Sequence, residues 1–211
     1  MQTKKVIFVP TLKEAHGIFG TLEHIQNPYG YYESNFEGKK VVVTGITKTC
    51  AALATFAVLS SQDFDEAYLL GIAGAYRGSG INIGEIVSVK FDFFVDEALF
   101  LNEKITFLSE LGFSFCEENR VCFNTLGNIK IVNSNTVSLL SSDDTLAKLY
   151  FGKTGASIEN MEGAAFGFVA QKFGIDFFQV RGISNYCGKR DNQMWDTKKA
   201  FNSLKEFAAK I

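Results

Sequence analysis

Two segments of this 211-residue chain hold side chains whose type and spacing could do chemistry: Ser157-Ile-Glu-Asn-Met-Glu-Gly-Ala-Ala-Phe166 and Arg181-Gly-Ile-Ser-Asn-Tyr-Cys-Gly-Lys-Arg-Asp191. The first sets the carboxylate of Glu162 near the start of a helix, and the second sets the carboxamide of Asn185 near the end of the next strand. A helix start keeps a carboxylate ionised, and its two oxygens can accept from two neighbouring hydroxyls, as a sugar diol would offer. An ordinary first-turn glutamate that steadies its helix accounts for Glu162 without any ligand. The amide of Asn185 presents a donor and an acceptor together, which suits the O6 and N7 edge of a 6-oxopurine. A 6-amino group would meet the donor side of that amide unless the amide flipped.

Ala73 and Gly74 are adjacent residues with almost no side chain, and a flat base could lie against their backbone. Two phosphate-binding motifs are excluded. The glycines of Gly71-Ile-Ala-Gly74 and Gly78 fall three and then four apart, unlike GxGxxG, and Thr47 stands where a P-loop needs glycine before Lys48-Thr49. Glu159, Asp143 and Asp144 are given no part in ligand binding.

Strands and helices must position these groups. Val6 to Val9 is a short apolar run stopped by Pro10 and reads as a buried strand followed by a loop over 11–14. The patterns predict strands over 41–44, 67–72, 85–94, 113–116, 129–132 and 177–184. Helices are predicted over 49–59, capped by Thr47 or Thr49, over 143–151, from Met161 to a stop at Gly174, and from Thr197 onward. Alternation of this kind implies an α/β fold, read as one domain over 1–211, with a largely parallel central sheet whose strand ends carry the ligand. Those ends are Glu14, Gly45-Ile46, Ala73-Gly74 and Ser184-Asn185.

A net charge of -2 with scattered lysines leaves no basic surface for a phosphate backbone, so nucleic acid is not an expected partner. Four cysteines without CxxC spacing and only two histidines suggest neither a zinc site nor a disulfide framework, and no metal or cofactor is expected. The apolar run at the N-terminus is too brief for a signal peptide, and no run reaches membrane-spanning length. A cytoplasmic protein without membrane partners is the expectation.

Five segments in order resemble the purine nucleoside phosphorylase and nucleosidase superfamily, in particular its hydrolase branch. They are Thr44-Gly-Ile-Thr-Lys48, which holds one departure, Gly71-Ile-Ala-Gly-Ala75, Ile83-Gly-Glu-Ile-Val87, Asn160-Met-Glu-Gly-Ala-Ala165 and Arg181-Gly-Ile-Ser-Asn185. The departure is Thr47, where the family has glycine. The tail from Ser184 to Asp191, with Trp195 and Ala200 beyond it, is most similar to that of the futalosine hydrolases, which free hypoxanthine in an alternative route to menaquinone. The resemblance implies a three-layer fold, a mixed and largely parallel sheet or distorted barrel flanked by helices, assembled as a homodimer or larger homo-oligomer around a small-molecule nucleoside.

By position in the motifs, the resemblance makes Glu14 the water-activating carboxylate, and Met161 and Glu162 the ribose contacts. Asn185 then faces the base beside Ala73 and Gly74, and Ile46 lines the pocket for the 5′ substituent. The benzoate of futalosine calls for a guanidinium, with Arg190 the candidate and Arg77 behind it, and Trp195 could pack on its ring. The phosphorylases carry a Gly-Asp-x-x-Arg phosphate site near the N-terminus that Val9-Pro-Thr-Leu-Lys-Glu14 does not supply, so water is the expected nucleophile. An adenine-releasing nucleosidase of the methylthioadenosine and S-adenosylhomocysteine type, which has Asp at the position of Asn185, and a silent nucleoside-binding module are the alternatives.

Overall fold

A computed structural model describes residues 3–113, 115–189 and 195–211. The chain runs through β1 (Lys5–Val9), α1 (Leu12–Phe19), β2 (Ile25–Gln26), β3 (Tyr32–Phe36), β4 (Lys39–Val43), α2 (Lys48–Ser61) and β5 (Glu66–Ala75). It continues with β6 (Ile86–Phe94), β7 (Ala98–Leu101), β8 (Lys104–Phe107), β9 (Arg120–Cys122), β10 (Lys130–Thr136) and α3 (Asp144–Thr154). Last come β11 (Ile158–Asn160), α4 (Gly163–Ala170), β12 (Asp176–Tyr186) and α5 (Thr197–Ala208).

The strands form one mixed sheet in the order β11-β10-β6-β12-β5-β1-β4-β3-β2, with β9 paired to β6. Pairs β1/β4, β1/β5, β5/β12, β6/β10 and β10/β11 are parallel. Strand β11 also pairs antiparallel with β5, and this closes β5, β12, β6, β10 and β11 into a barrel-like ring. The sheet is covered on both faces, which is why β1 and β5 are apolar almost without interruption. Along β1 the side chains alternate: Val6 and Phe8 join a core with Ala51 and Val58 of α2 and Phe166 of α4, whereas Ile7 and Val9 join one with Ile18 of α1 and Leu204 of α5.

Three local differences from the sequence reading have physical causes. Residues 11–14 are not a loop, because Thr11 caps α1: its Oγ1 accepts from the Glu14 N–H at 3.1 Å and donates to the Glu14 carboxylate at 2.6 Å. The Thr-x-x-Glu spacing is that of a capping box, with the glutamate bonded to the Thr11 hydroxyl in place of the N-cap N–H. The strand expected at 113–116 is absent among the described residues there, and the pairing with β6 comes from β9 instead. The β7/β8 hairpin was hidden because its turn puts Asn102 and Glu103, at φ 50° and 59°, where glycine usually signals such a turn.

The helix expected from Met161 starts at Gly163, with Glu162 at its N-cap. Gly163 is confined: a Cβ there would lie 2.2 Å from Asp92 Oδ2 and 2.3 Å from Gln179 Nε2. Both groups belong to a fully buried polar cluster in which Asp92 accepts from Thr136, Asn160 and Gln179. Gly163→Ala should therefore lower stability by about 2 kcal/mol or more. Thermal or urea denaturation checks this, and an unchanged midpoint would show that the cluster yields without cost.

Candidate active site

One cavity of about 300 Å³ opens at the strand ends, and Glu14, Ile46, Ala73, Gly74, Met161, Glu162 and Asn185 all line it. The elements responsible are the first turn of α1, the turn after β4, the last residues of β5, the β11–α4 junction and the end of β12. Arg190 lies outside the described residues. Arg77 does not border this cavity. It follows β5, sits over the ring of Tyr186 at 5.6 Å, and lines a smaller neighbouring cavity with Asp144 and Lys148. Trp195 is on the main cavity wall, as are Lys13 and Leu140.

Glu14 is buried and tied at both oxygens. Oε2 accepts from Thr11, and Oε1 accepts from the backbone N–H of Ile72 at 2.9 Å. Burial pushes its carboxyl up to about 7, the charge of Glu162 adds to the rise, and the bonds from Thr11 and Ile72 and the charge of Arg181 oppose it. A carboxyl that titrates near neutrality suits proton abstraction at physiological pH. Gly71 lets this happen at close quarters, since a Cβ there would stand 2.6 Å from Arg181 Nη1 and 3.0 Å from Glu14 Oε1.

Glu162 does not cap its helix through its side chain. Its carboxylate accepts from Arg181 Nη1 at 3.3 Å, while Arg181 Nη2 donates to Asn160 Oδ1 at 2.8 Å and Nη1 also reaches the carbonyl of Ile72. Arg181 is fully buried. Burial raises the carboxyl of Glu162, and Arg181 together with the backbone N–H of Thr47 holds that rise back. Thr47 adopts φ 99° and ψ 157°, a conformation that glycine favours, and its Oγ1 caps α2 by accepting from Cys50. Threonine thus stands where the resemblance expects glycine, in a backbone shape that glycine favours.

Asn185 owes its direction to an irregularity. Strand β12 pairs Ile183 with Ala73 and then Asn185 with Gly74, so Ser184 is an extra residue that resets the alternation. The Ser184 hydroxyl donates to Asn185 Oδ1 at 2.8 Å, and Asn185 Nδ2 donates to the Tyr186 carbonyl at 3.2 Å. The missing side chain of Gly74 makes this possible, because a Cβ there would meet Cys187 Sγ at 2.8 Å and Asn185 Nδ2 at 3.2 Å.

Comparison with known proteins matches residues 9–211 to the family model described as the phosphorylase superfamily. The chain belongs to this superfamily. It is 34% identical to futalosine hydrolase of Thermus thermophilus, over 76% of this chain and 75% of that protein. It is 27% identical to 5′-methylthioadenosine/S-adenosylhomocysteine nucleosidase of Psychromonas ingrahamii, over 76% of this chain and 74% of that protein. Among solved structures, a futalosine hydrolase mutant of Helicobacter pylori superimposes with a TM-score of 0.76 at 17% identity, covering 100% of both chains. The mixed sheet closed into a distorted barrel and flanked by helices is thus the superfamily's fold.

Within this superfamily member, Thr11, Arg181 and Glu159 join the site without having been expected from the sequence. Thr11 was legible as the start of Thr-x-x-Glu. Arg181 lies within a motif segment, and its burial behind Glu162 makes it the charge that holds that carboxylate. Glu159 was set aside, yet it is buried and lines the cavity. Its carboxylate accepts from the Ser141 N–H at 3.0 Å, from the Ser141 hydroxyl and from the Tyr76 hydroxyl at 2.9 Å. No spacing rule marks it, because its partners arrive from two separate segments. Burial raises the Glu159 carboxyl, and the hydrogen bonds from Ser141 and Tyr76 pull it back.

Proposed function

We propose that the protein is a futalosine hydrolase: water cleaves the N-glycosidic bond of a 5′-modified purine nucleoside and releases hypoxanthine. The observation that carries this reading is the carboxamide of Asn185 in the cavity of a chain 34% identical to a futalosine hydrolase. Breaking the ribosyl bond develops positive charge on the sugar and negative charge on the leaving base, so both ends need stabilisation. Glu14 takes a proton from water as it attacks C1′. Glu162 and Met161 hold the ribose, with the Glu162 carboxylate accepting from the 2′ and 3′ hydroxyls. Asn185 pairs with the O6 and N7 edge of the base, which lies on Ala73 and Gly74.

Toward the opening, Ile46, Leu140 and Trp195 offer apolar surface for the 5′ aromatic group, and Lys13 brings a cation to the same wall. A guanidinium at Arg190 remains the proposed partner of the benzoate carboxylate. Menaquinone synthesis is the route this activity serves. Homodimer formation and a cytoplasmic location go with the reading. Exposed Ile46, Leu53 and Phe56 on and before α2 offer apolar surface for a subunit contact, and no helix among the described residues is long and apolar enough to cross a membrane.

Asn185→Asp tests the assignment of the base. An aspartate can carry a proton to N7, whereas it gives up the amide donor that a 6-oxopurine uses. The substitution should lower kcat/KM for futalosine by about 10- to 100-fold and raise the ratio of adenine to hypoxanthine release, read by chromatography of the freed bases. An unchanged ratio removes Asn185 from base recognition. Release that requires added phosphate would make the protein a phosphorylase, and greater release of adenine from methylthioadenosine would make it an adenine-acting nucleosidase.

A further inference from the structure

Glu159 is a buried carboxylate on the cavity wall that the mechanism above does not use. Its place in the sheet is specific. Strand β5 lies between β12 and β11, and Gly74 is paired with Asn185 on one side and with Glu159 on the other. Direct partners across a sheet point to the same face, so Asn185 and Glu159 flank a floor that has no side chain. Two strand spacings separate their backbones by about 10 Å. A bicyclic base with a hydrogen bond at each end fits such a gap.

The Glu159 carboxylate is also built in place. The Tyr76 hydroxyl that donates to it accepts in turn from Asn135 Nδ2 at 3.1 Å, and Ser141 supplies both its backbone N–H and its hydroxyl. Three donors occupy three of the roughly four lone-pair sites of a carboxylate, which leaves about one acceptor position for the cavity. What an acceptor needs is an N–H. Along the edge of a 6-oxopurine the order is N7 acceptor, O6 acceptor, N1–H donor. In a 6-aminopurine N1 carries a lone pair, which would face the carboxylate oxygens.

We infer that Glu159 is a specificity-determining residue that accepts the N1–H of a 6-oxopurine, so that Asn185 and Glu159 read opposite ends of one base edge. This rests on the proposed 6-oxopurine reading and extends it to a second residue. Asn185 alone tolerates either base if its amide turns over. A carboxyl group held by three donors has no N–H that rotation could turn toward the base, as an amide has.

The test is calorimetric binding of free hypoxanthine, 1-methylhypoxanthine and adenine to the wild-type protein and to Glu159→Gln. The wild type should bind hypoxanthine more tightly than adenine, and more tightly than 1-methylhypoxanthine by about 10- to 100-fold, because the methyl group removes the N1–H. In Glu159→Gln the affinity for hypoxanthine should fall by about the same factor while that for adenine holds or rises. A residue that merely holds the Ser141 loop would weaken both bases alike, and that result would overturn the inference. Equal affinity of the wild type for hypoxanthine and its 1-methyl derivative would overturn it even if the variant failed to fold. Preference of the wild type for adenine would instead overturn the 6-oxopurine reading itself.

Discussion

Replacing Glu14 with Gln lowers kcat for nucleoside hydrolysis by about 10²- to 10⁴-fold, the range that a general base contributes, while hypoxanthine binding changes little. Gln is nearly isosteric. Its oxygen can still accept from the Ile72 N–H, and the Thr11 hydroxyl can turn from donor to acceptor, so the first turn of α1 survives. The wild-type rate should fall about tenfold per pH unit below about 7, because only the ionised carboxylate can take a proton from water. The residual rate of the variant should lack that limb. Unchanged turnover in Glu14→Gln would remove Glu14 from the mechanism.

The same substitution has a consequence for stability whose sign follows from linkage. The folded carboxyl titrates at about 7 against an ordinary value of 4.5, so the folded state holds the proton more tightly than the unfolded chain. Stability from this group is complete below 4.5 and is lost as pH rises through about 7. Glu14→Gln carries no such charge, and above that range it should be more stable than the wild type by at most roughly 3 kcal/mol, with little difference near pH 4. Denaturation at the two pH values reads this out. In its charged form the buried Glu14 carboxylate opposes folding.

Arg181→Leu is the second large effect. Arg181 is fully buried among the Glu162 carboxylate, Asn160 Oδ1 and the Ile72 carbonyl, and its loss leaves a buried carboxylate without its cation. A broken pair of this kind costs about 3–5 kcal/mol, and activity should fall with it because Glu162 loses its orientation. The double variant Arg181→Leu, Glu162→Gln should recover much of that stability, since no uncompensated charge remains, without recovering activity. Equal midpoints for the wild type and Arg181→Leu would show that the pair is not coupled. A double variant no more stable than Arg181→Leu would place the cost in packing around the aliphatic stem instead.

Legibility from sequence divided along a physical line. Val6–Val9 and Ala67–Ile72 are continuous apolar runs and Phe177–Ser184 is one broken by Gln179 and Arg181; all three are largely buried, and their character survives in composition alone. Gly45, Ala73-Gly74 and Asn185 stand at strand ends, where small residues and turns are visible in the chain. The hairpin Ala98–Phe107 was not visible because Asn102-Glu103 replaces the glycine that normally betrays such a turn. The helix at Glu14 is signalled only by Thr11 and Glu14 together, as cap and third residue. Glu159 and Arg181 are a different kind of miss: each acts through partners from distant segments, and their pairing exists only once β5 lies between β11 and β12.

The turn at Thr47 shows how a departure from a family pattern can be absorbed. Glycine would adopt φ 99° freely, whereas threonine holds it at a cost of order 1–3 kcal/mol. The Thr47 N–H faces Glu162, and the Oγ1 supplies a helix cap that glycine lacks. The backbone N–H that faces the Glu162 carboxylate is thereby presented by threonine.

The central claim is that this cavity hydrolyses a 6-oxopurine nucleoside with a 5′ extension. Purified protein incubated without phosphate, with futalosine and methylthioadenosine supplied separately at equal concentration, provides the most direct measurement when the freed bases are separated and quantified. Hypoxanthine from futalosine should exceed adenine from methylthioadenosine by at least about 100-fold in kcat/KM, the discrimination that hydrogen bonds to a purine edge can supply. Comparable or greater release of adenine would contradict it.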